Sequence, residues 1–205
     1  MTSILETKIF FIRGRIGKMN KYLKFITLST MVLLTVGCSE EKPKNEHKGL
    51  TGFVIEANYE KRALLVAESD KTSATEGKYG VEWYSLNDDA ILLDSKNSKI
   101  LFTDIEVGSE VETWSTSPSL ESYPAKTDLS KLVVADDVKH PNSDMSQKKA
   151  IQAALNFAKN LSDKPAILIV QKVEIKKTEW LIHIYNFDLG KSYELRVNPE
   201  TAEVS

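Results

Sequence analysis

The chain has 205 residues, 41% hydrophobic and 27% charged, with a formal net charge of −2. Residues 1–37 hold six Lys/Arg against one Glu, so residues 38–205 are left at −7; such a remainder is a poor candidate for adhesion to nucleic acid or to anionic lipid by charge, since both demand a basic face. The single cysteine excludes an internal disulfide.

Lys18, Lys21 and Lys24 lead into an apolar run from Phe25 to Gly37. About 13 residues cannot cross a bilayer, which takes roughly 20, but they suit the apolar centre of a secretory signal peptide. Leu34-Thr35-Val36-Gly37-Cys38 resembles the lipobox of bacterial lipoproteins. That resemblance implies diacylglycerol on the Cys38 sulfur, cleavage before it and an acyl group such as palmitate on the new terminus. Two or more chains anchor stably where one does not. The protein is then expected on the extracytoplasmic face of the cell membrane, held by lipid. The alternative is an ordinary signal peptide that contains a cysteine. Residues 1–18 carry a second apolar patch, Ile9-Phe10-Phe11-Ile12, and read as an upstream extension, with the signal peptide over 19–37. Cys38 and the polar run to Lys48 read as an acylated tether, 38–48, in which His47 is solvated.

From Gly49 the pattern is β. Leu50 to Ile55 and Ala63 to Ala67 form a hairpin around Asn58, and Ser69 to Lys78 is a polar loop. Val81 to Leu86 is a third strand, Ala90 to Leu93 a short apolar piece, and Leu101 to Ile105 a helical turn. Val107 to Trp114 alternates apolar and polar, and Lys131 to Ala135 closes the unit. Short strands at this spacing predict a small barrel over 49–137. Gly52-Phe53-Val54-Ile55-Glu56, Trp83-Tyr84, Ile105-Glu106-Val107-Gly108 with Val111, and Glu121-Ser122-Tyr123-Pro124-Ala125 resemble the YobA-like family of small exported proteins from Gram-positive bacteria. The resemblance implies an OB-like β unit and carries no activity.

Asp136 to Asp144 is charged and holds Pro141 and Asn142, so it reads as a domain boundary with His140 solvated in it. A helix follows, capped by Ser143, Asp144 or Ser146, with Ile151, Ala154, Leu155, Ala158 and Leu161 on one face. Strands are expected over Ala166–Glu174, Trp180–Asn186 and Ser192–Val197. This order, closing on Val197-Asn198-Pro199-Glu200-Thr201-Ala202-Glu203-Val204, resembles the PepSY-like fold over 143–205, which implies an interaction or inhibitory module. The fold class is therefore α+β: an OB-like barrel, then a helix and a three-stranded antiparallel sheet.

Catalytic motifs are sparse. Ser146-Gln147-Lys148-Lys149 matches Ser-x-x-Lys, but Ser146 opens a helix and capping explains it. Asp88, Asp89 and Asp94 offer oxygens that calcium would use, or they solvate a turn. His47, His140 and His183 share no ligand spacing, and His183 faces away from Ile182 and Ile184. No metal or cofactor is expected. Trp83, Tyr84, Trp114 and Tyr123 are the candidate binding residues, since OB-like barrels use aromatics on an open face. Trp83 and Tyr84 are adjacent, so only one is expected in the core. Tyr123 is expected to plug the end of the barrel, or to present itself to a partner. The function expected is non-catalytic binding or regulation at the envelope, toward an envelope protein or a cell-wall ligand. The alternatives are an assembly adaptor and an enzyme without a recognisable motif.

Overall fold

The structure, a computed structural model, describes residues 46–69, 79–161 and 164–205. Five strands close a barrel: β1 (His47–Asn58), β2 (Ala63–Glu68), β3 (Val81–Leu93), β4 (Glu110–Ser115) and β5 (Ala125–Val134). Their order is β1-β2-β3-β5-β4, with β3 and β5 parallel and the other neighbours antiparallel. β1 serves two neighbours, β4 through its first half and β2 through its second. At Gly52 the strands meet so closely that a Cβ would lie 1.9 Å from the Ala67 carbonyl oxygen. Only glycine fits there. The Asn58 side chain closes the β1–β2 turn by accepting from Lys61 N–H.

The barrel interior is apolar at one end, where Val54, Leu64, Val66, Leu92, Ile105, Val111 and Leu132 meet. These residues alternate along their strands with outward ones, as a small filled barrel requires. The expected helical turn is a 3₁₀ turn, Phe102–Asp104. Several boundaries move. β1 begins at His47, whose residues 47 and 48 pair with Ser115 and Trp114, so the tether ends before His47. Ala90–Leu93 is the far half of β3, and Asp88 and Asp89 lie in that strand rather than in a turn after it. Val107 and Gly108 turn before β4, with Gly108 at φ +87°.

Helix α1 (Gln147–Lys159) packs on a sheet of β6 (Leu168–Ile175), β7 (Trp180–Asn186) and β8 (Lys191–Val197). Ser146 is its N-cap, and its Oγ accepts from Lys149 N–H. The buried stripe is Ala150, Ile151, Ala154, Leu155 and Ala158. Leu161 lies past the helix and is 48% exposed, which corrects its place on the apolar face.

Asp136–Asp144 is largely exposed, but His140 within it is not solvated. His140 is 2% exposed. It donates from Nε2 to Lys176 O, accepts at Nδ1 from Asn142 N–H, and meets Trp180 edge-on. The barrel also shares a core with the second unit. Phe53, Ile55, Leu65, Ala67 and Val81, on the barrel's outer face, join the cluster that holds α1 and the buried face of the sheet. Barrel, helix and sheet belong to one compact unit. Glu106 adds polar ties, accepting from Lys148 Nζ and Gln152 Nε2 of α1, both at 3.2 Å. These partners hold its carboxyl below the ordinary range.

Candidate functional site

The four aromatic candidates do not converge. Tyr84 lies wholly inside the barrel, where its hydroxyl accepts from Leu50 N–H at 3.0 Å. Burial, then Glu82 beside it, pushes the phenol up. It cannot meet a ligand at the surface. Trp83 points outward and packs against the cluster shared with the sheet. Both neighbours are thus used in packing, because the sheet covers the barrel face that sequence reasoning left open. Trp114 is half-buried on the outer wall. It pairs with Lys48 on one side and Lys131 on the other, and both ammonium groups lie over its ring, at 5.9 and 4.6 Å from the centroid. Two cations already cover that ring.

Tyr123 does not plug the barrel. It is 47% exposed, and its ring stacks on Phe187 beyond β7, at 4.3 Å between centroids. Its hydroxyl is pushed up to about 12 by burial, and then by Asp188 and Tyr185. The mouth is closed instead by the loop before Tyr123. Ser117 O accepts from Ser115 and Thr127, and Ser119 Oγ donates to Glu82, which is only 6% exposed. The barrel fills its own mouth.

The acidic cluster disperses too. Asp88 pairs with Arg62 at 2.6 Å, and Asp94 accepts from Lys96 and Ser98 N–H in its own turn. Among the described residues no three His, Cys, Asp or Glu side chains come together as a metal site would need. His183 is half-buried, with Nε2 3.7 Å from Glu174 Oε1.

The constellation that does converge lies at the seam between barrel and sheet. A cleft of about 340 Å³ opens there, with Phe53 and Val173 among its apolar lining. Four elements supply its polar groups: Ser69 after β2, Glu110 on β4, Gln147 on α1, and Gln171 with Lys172 on β6. β6 delivers neighbouring side chains to one cleft because its register to β7 shifts between Val170 and Lys172. A regular strand would send Gln171 and Lys172 to opposite faces; a bulge re-aims them. Gln171 also contacts the Tyr79 hydroxyl, and Tyr79 packs on Tyr185 at 5.1 Å. Gln147 Nε2 donates to Glu110 at 3.2 Å. Ser69 is 8% exposed, and its Oγ has no hydrogen-bond partner among the described residues. Such a hydroxyl has lost water and gained nothing.

This cleft escaped sequence reasoning because its residues are polar, unremarkable and far apart. One local signal was available: Gln171-Lys172 interrupts the apolar run of β6, the break in alternation that a bulge makes.

A second depression, of about 620 Å³, lies beside β8 and is bounded by Glu179, Arg196 and Asn198. Arg196 is already bonded there to Glu179 and Glu194. Larger volume does not make it the better site, because its charged groups satisfy one another at the surface. A third, of about 420 Å³, holds the Arg62–Asp88 pair.

Fold and cleft define a class: a small closed β barrel joined through a shared core to a helix and three-stranded sheet, with a polar pocket at the joint. A family model described as "Protein of unknown function (DUF3221)" matches residues 51–136, the barrel from Thr51 onward. No curated protein and no solved structure matches the chain.

Proposed function

We propose that this is an exported, lipid-anchored envelope protein of a Gram-positive bacterium that binds a ligand at the seam cleft without chemically changing it. The observation that carries the binding reading is the cleft itself, with groups from four elements around a buried, unpartnered hydroxyl. Ligand pockets favour joints between units. Among the described residues no base is hydrogen-bonded to Ser69 Oγ, as an activated nucleophile needs, which favours binding over nucleophilic catalysis. The lipobox-like run at Leu34–Cys38, which lies outside the described residues, supports the anchor. Closed order with β3 parallel to β5 supports an OB-like barrel. A helix followed by three sequential antiparallel strands supports the PepSY-like comparison, and the YobA-like one rests on the quoted runs in the barrel.

Two measurements test the reading. Fatty-acid labelling should mark the wild type and not Cys38→Ala; equal labelling of both refutes the anchor. Fractionated envelope extract should raise the melting temperature of the detergent-held protein, because a ligand that binds only the folded state stabilises it. Gln171→Ala should blunt that rise. If no fraction raises it, the binding reading fails.

A further inference from the structure

The geometry points to a neutral, hydroxyl-rich ligand of one or two sugar rings in the seam cleft; this names the ligand class and rests on the binding reading above. The charges of the cleft are internally balanced. Lys172 is held by Glu174 at 2.6 Å, and Glu110 accepts from Gln147. Glu174 also takes Lys176, so two carboxylates, Glu110 and Glu174, face two lysines and no net positive charge is left to draw a phosphate or carboxylate. The polar lining as a set both gives and takes hydrogen bonds: the Gln147 and Gln171 amides and the Ser69 hydroxyl can do both, and the Glu110 carboxylate accepts. A sugar presents the matching alternation of donors and acceptors along its edge, and a C–H face that rests on apolar floor such as Phe53 and Val173. The volume, about 340 Å³, is near the small end of ligand pockets, which span roughly 300–1,000 Å³. An extended peptide fits less well. Strand addition needs an unbroken row of backbone groups, and the bulge at Gln171 interrupts the edge of β6.

Ser69 gives the test its discriminating variant. If its hydroxyl waits for a ligand, Ser69→Ala should weaken binding while the protein melts no lower than wild type. A hydroxyl with a structural task would lower both.

The detergent-held full protein is titrated calorimetrically with the N-acetylglucosamine disaccharide, with maltose and with trialanine. Saturable binding of a sugar is expected, weakened about tenfold in Gln171→Ala and in Ser69→Ala, the change that about 1.4 kcal/mol produces. Ser69→Ala should melt at or above the wild-type midpoint, whereas Gln171→Ala also loses its bond to the Tyr79 hydroxyl and is read by binding alone. The assignment is overturned if neither sugar binds below about 10 mM, if trialanine binds in their place, or if both variants bind as the wild type does. Should extract still raise the melting temperature while both sugars fail, the ligand class is wrong and the binding reading stands. Should extract fail too, both fall.

Discussion

The Tyr84 hydroxyl sits where three strands need a polar anchor. It accepts from Leu50 N–H, and Thr113 Oγ1 donates to Leu50 O at 2.9 Å, so two side chains serve one residue of β1. Gly49 gives the phenol room, since a Cβ there would stand 2.5 Å from the oxygen. Tyr84→Phe keeps the ring and strands a buried donor. It should cost about 1–3 kcal/mol, read as a lower urea midpoint at unchanged slope. Ala202 is a residue of the opposite kind. It holds φ +61° on an exposed turn, the left-handed region in which a Cβ costs roughly 1–2 kcal/mol. Glycine removes that strain but brings extra freedom to the unfolded chain, so Ala202→Gly should gain about 0.5–1 kcal/mol net. A melting point at or below wild type would show that the turn bears no strain.

Along β6, Glu174 lies between Lys172 and Lys176, bonded to both. They hold its carboxyl down from 4.5 to about 2. A carboxyl lowered by folding contributes stability in full above its unfolded value and loses it as acid titrates the folded group. The window therefore runs from pH 4.5 down to about 2. Across it, wild type should lose more stability than Glu174→Gln, and the two should converge at the acid end. Added salt should shrink the difference, because the cluster is exposed. Urea melts at both ends of the window would show parallel loss if the lysines do not act on Glu174. The strands themselves were unequally legible. β7 stood out as Trp180-Leu181-Ile182 onward between clear turns, and the structure gives it the same bounds, Trp180–Asn186. The far half of β3 was hidden because Ser85, Asn87, Asp88 and Asp89 break its apolar pattern where the strand shifts register against β5. The first half of β5 was hidden because it helps line a polar mouth: Thr127 and Ser130 are buried hydroxyls, and alternation of apolar residues cannot reveal them.

At the scale of the molecule, the polar run Asp136–Asp144 suggested two separable cores, and that inference used the wrong stretch. What joins the units is the outer face of the barrel. Phe53-Val54-Ile55 and Leu64-Leu65-Val66-Ala67 are continuous apolar runs, the mark of strands covered on both faces. Val54, Leu64 and Val66 point in, while Phe53, Ile55, Leu65 and Ala67 point toward helix and sheet. Aromatic residues drew attention to the barrel wall for the same reason, because nothing in a linear reading told which wall would be covered. Phe53 is 4% exposed in the shared cluster, and truncating a buried phenylalanine costs about 3–5 kcal/mol. In Phe53→Ala that loss should fall on both units at once, as a single transition at lower temperature, with amide exchange in β7 accelerated as much as in β2. A fragment of residues 143–205 should show no cooperative melt, because its cluster loses Phe53, Ile55, Leu65, Ala67 and Val81 together. Wild-type exchange protection in β7 of Phe53→Ala, or a sharp melt of the fragment alone, would mean that the seam is a contact between two finished domains rather than a core they share.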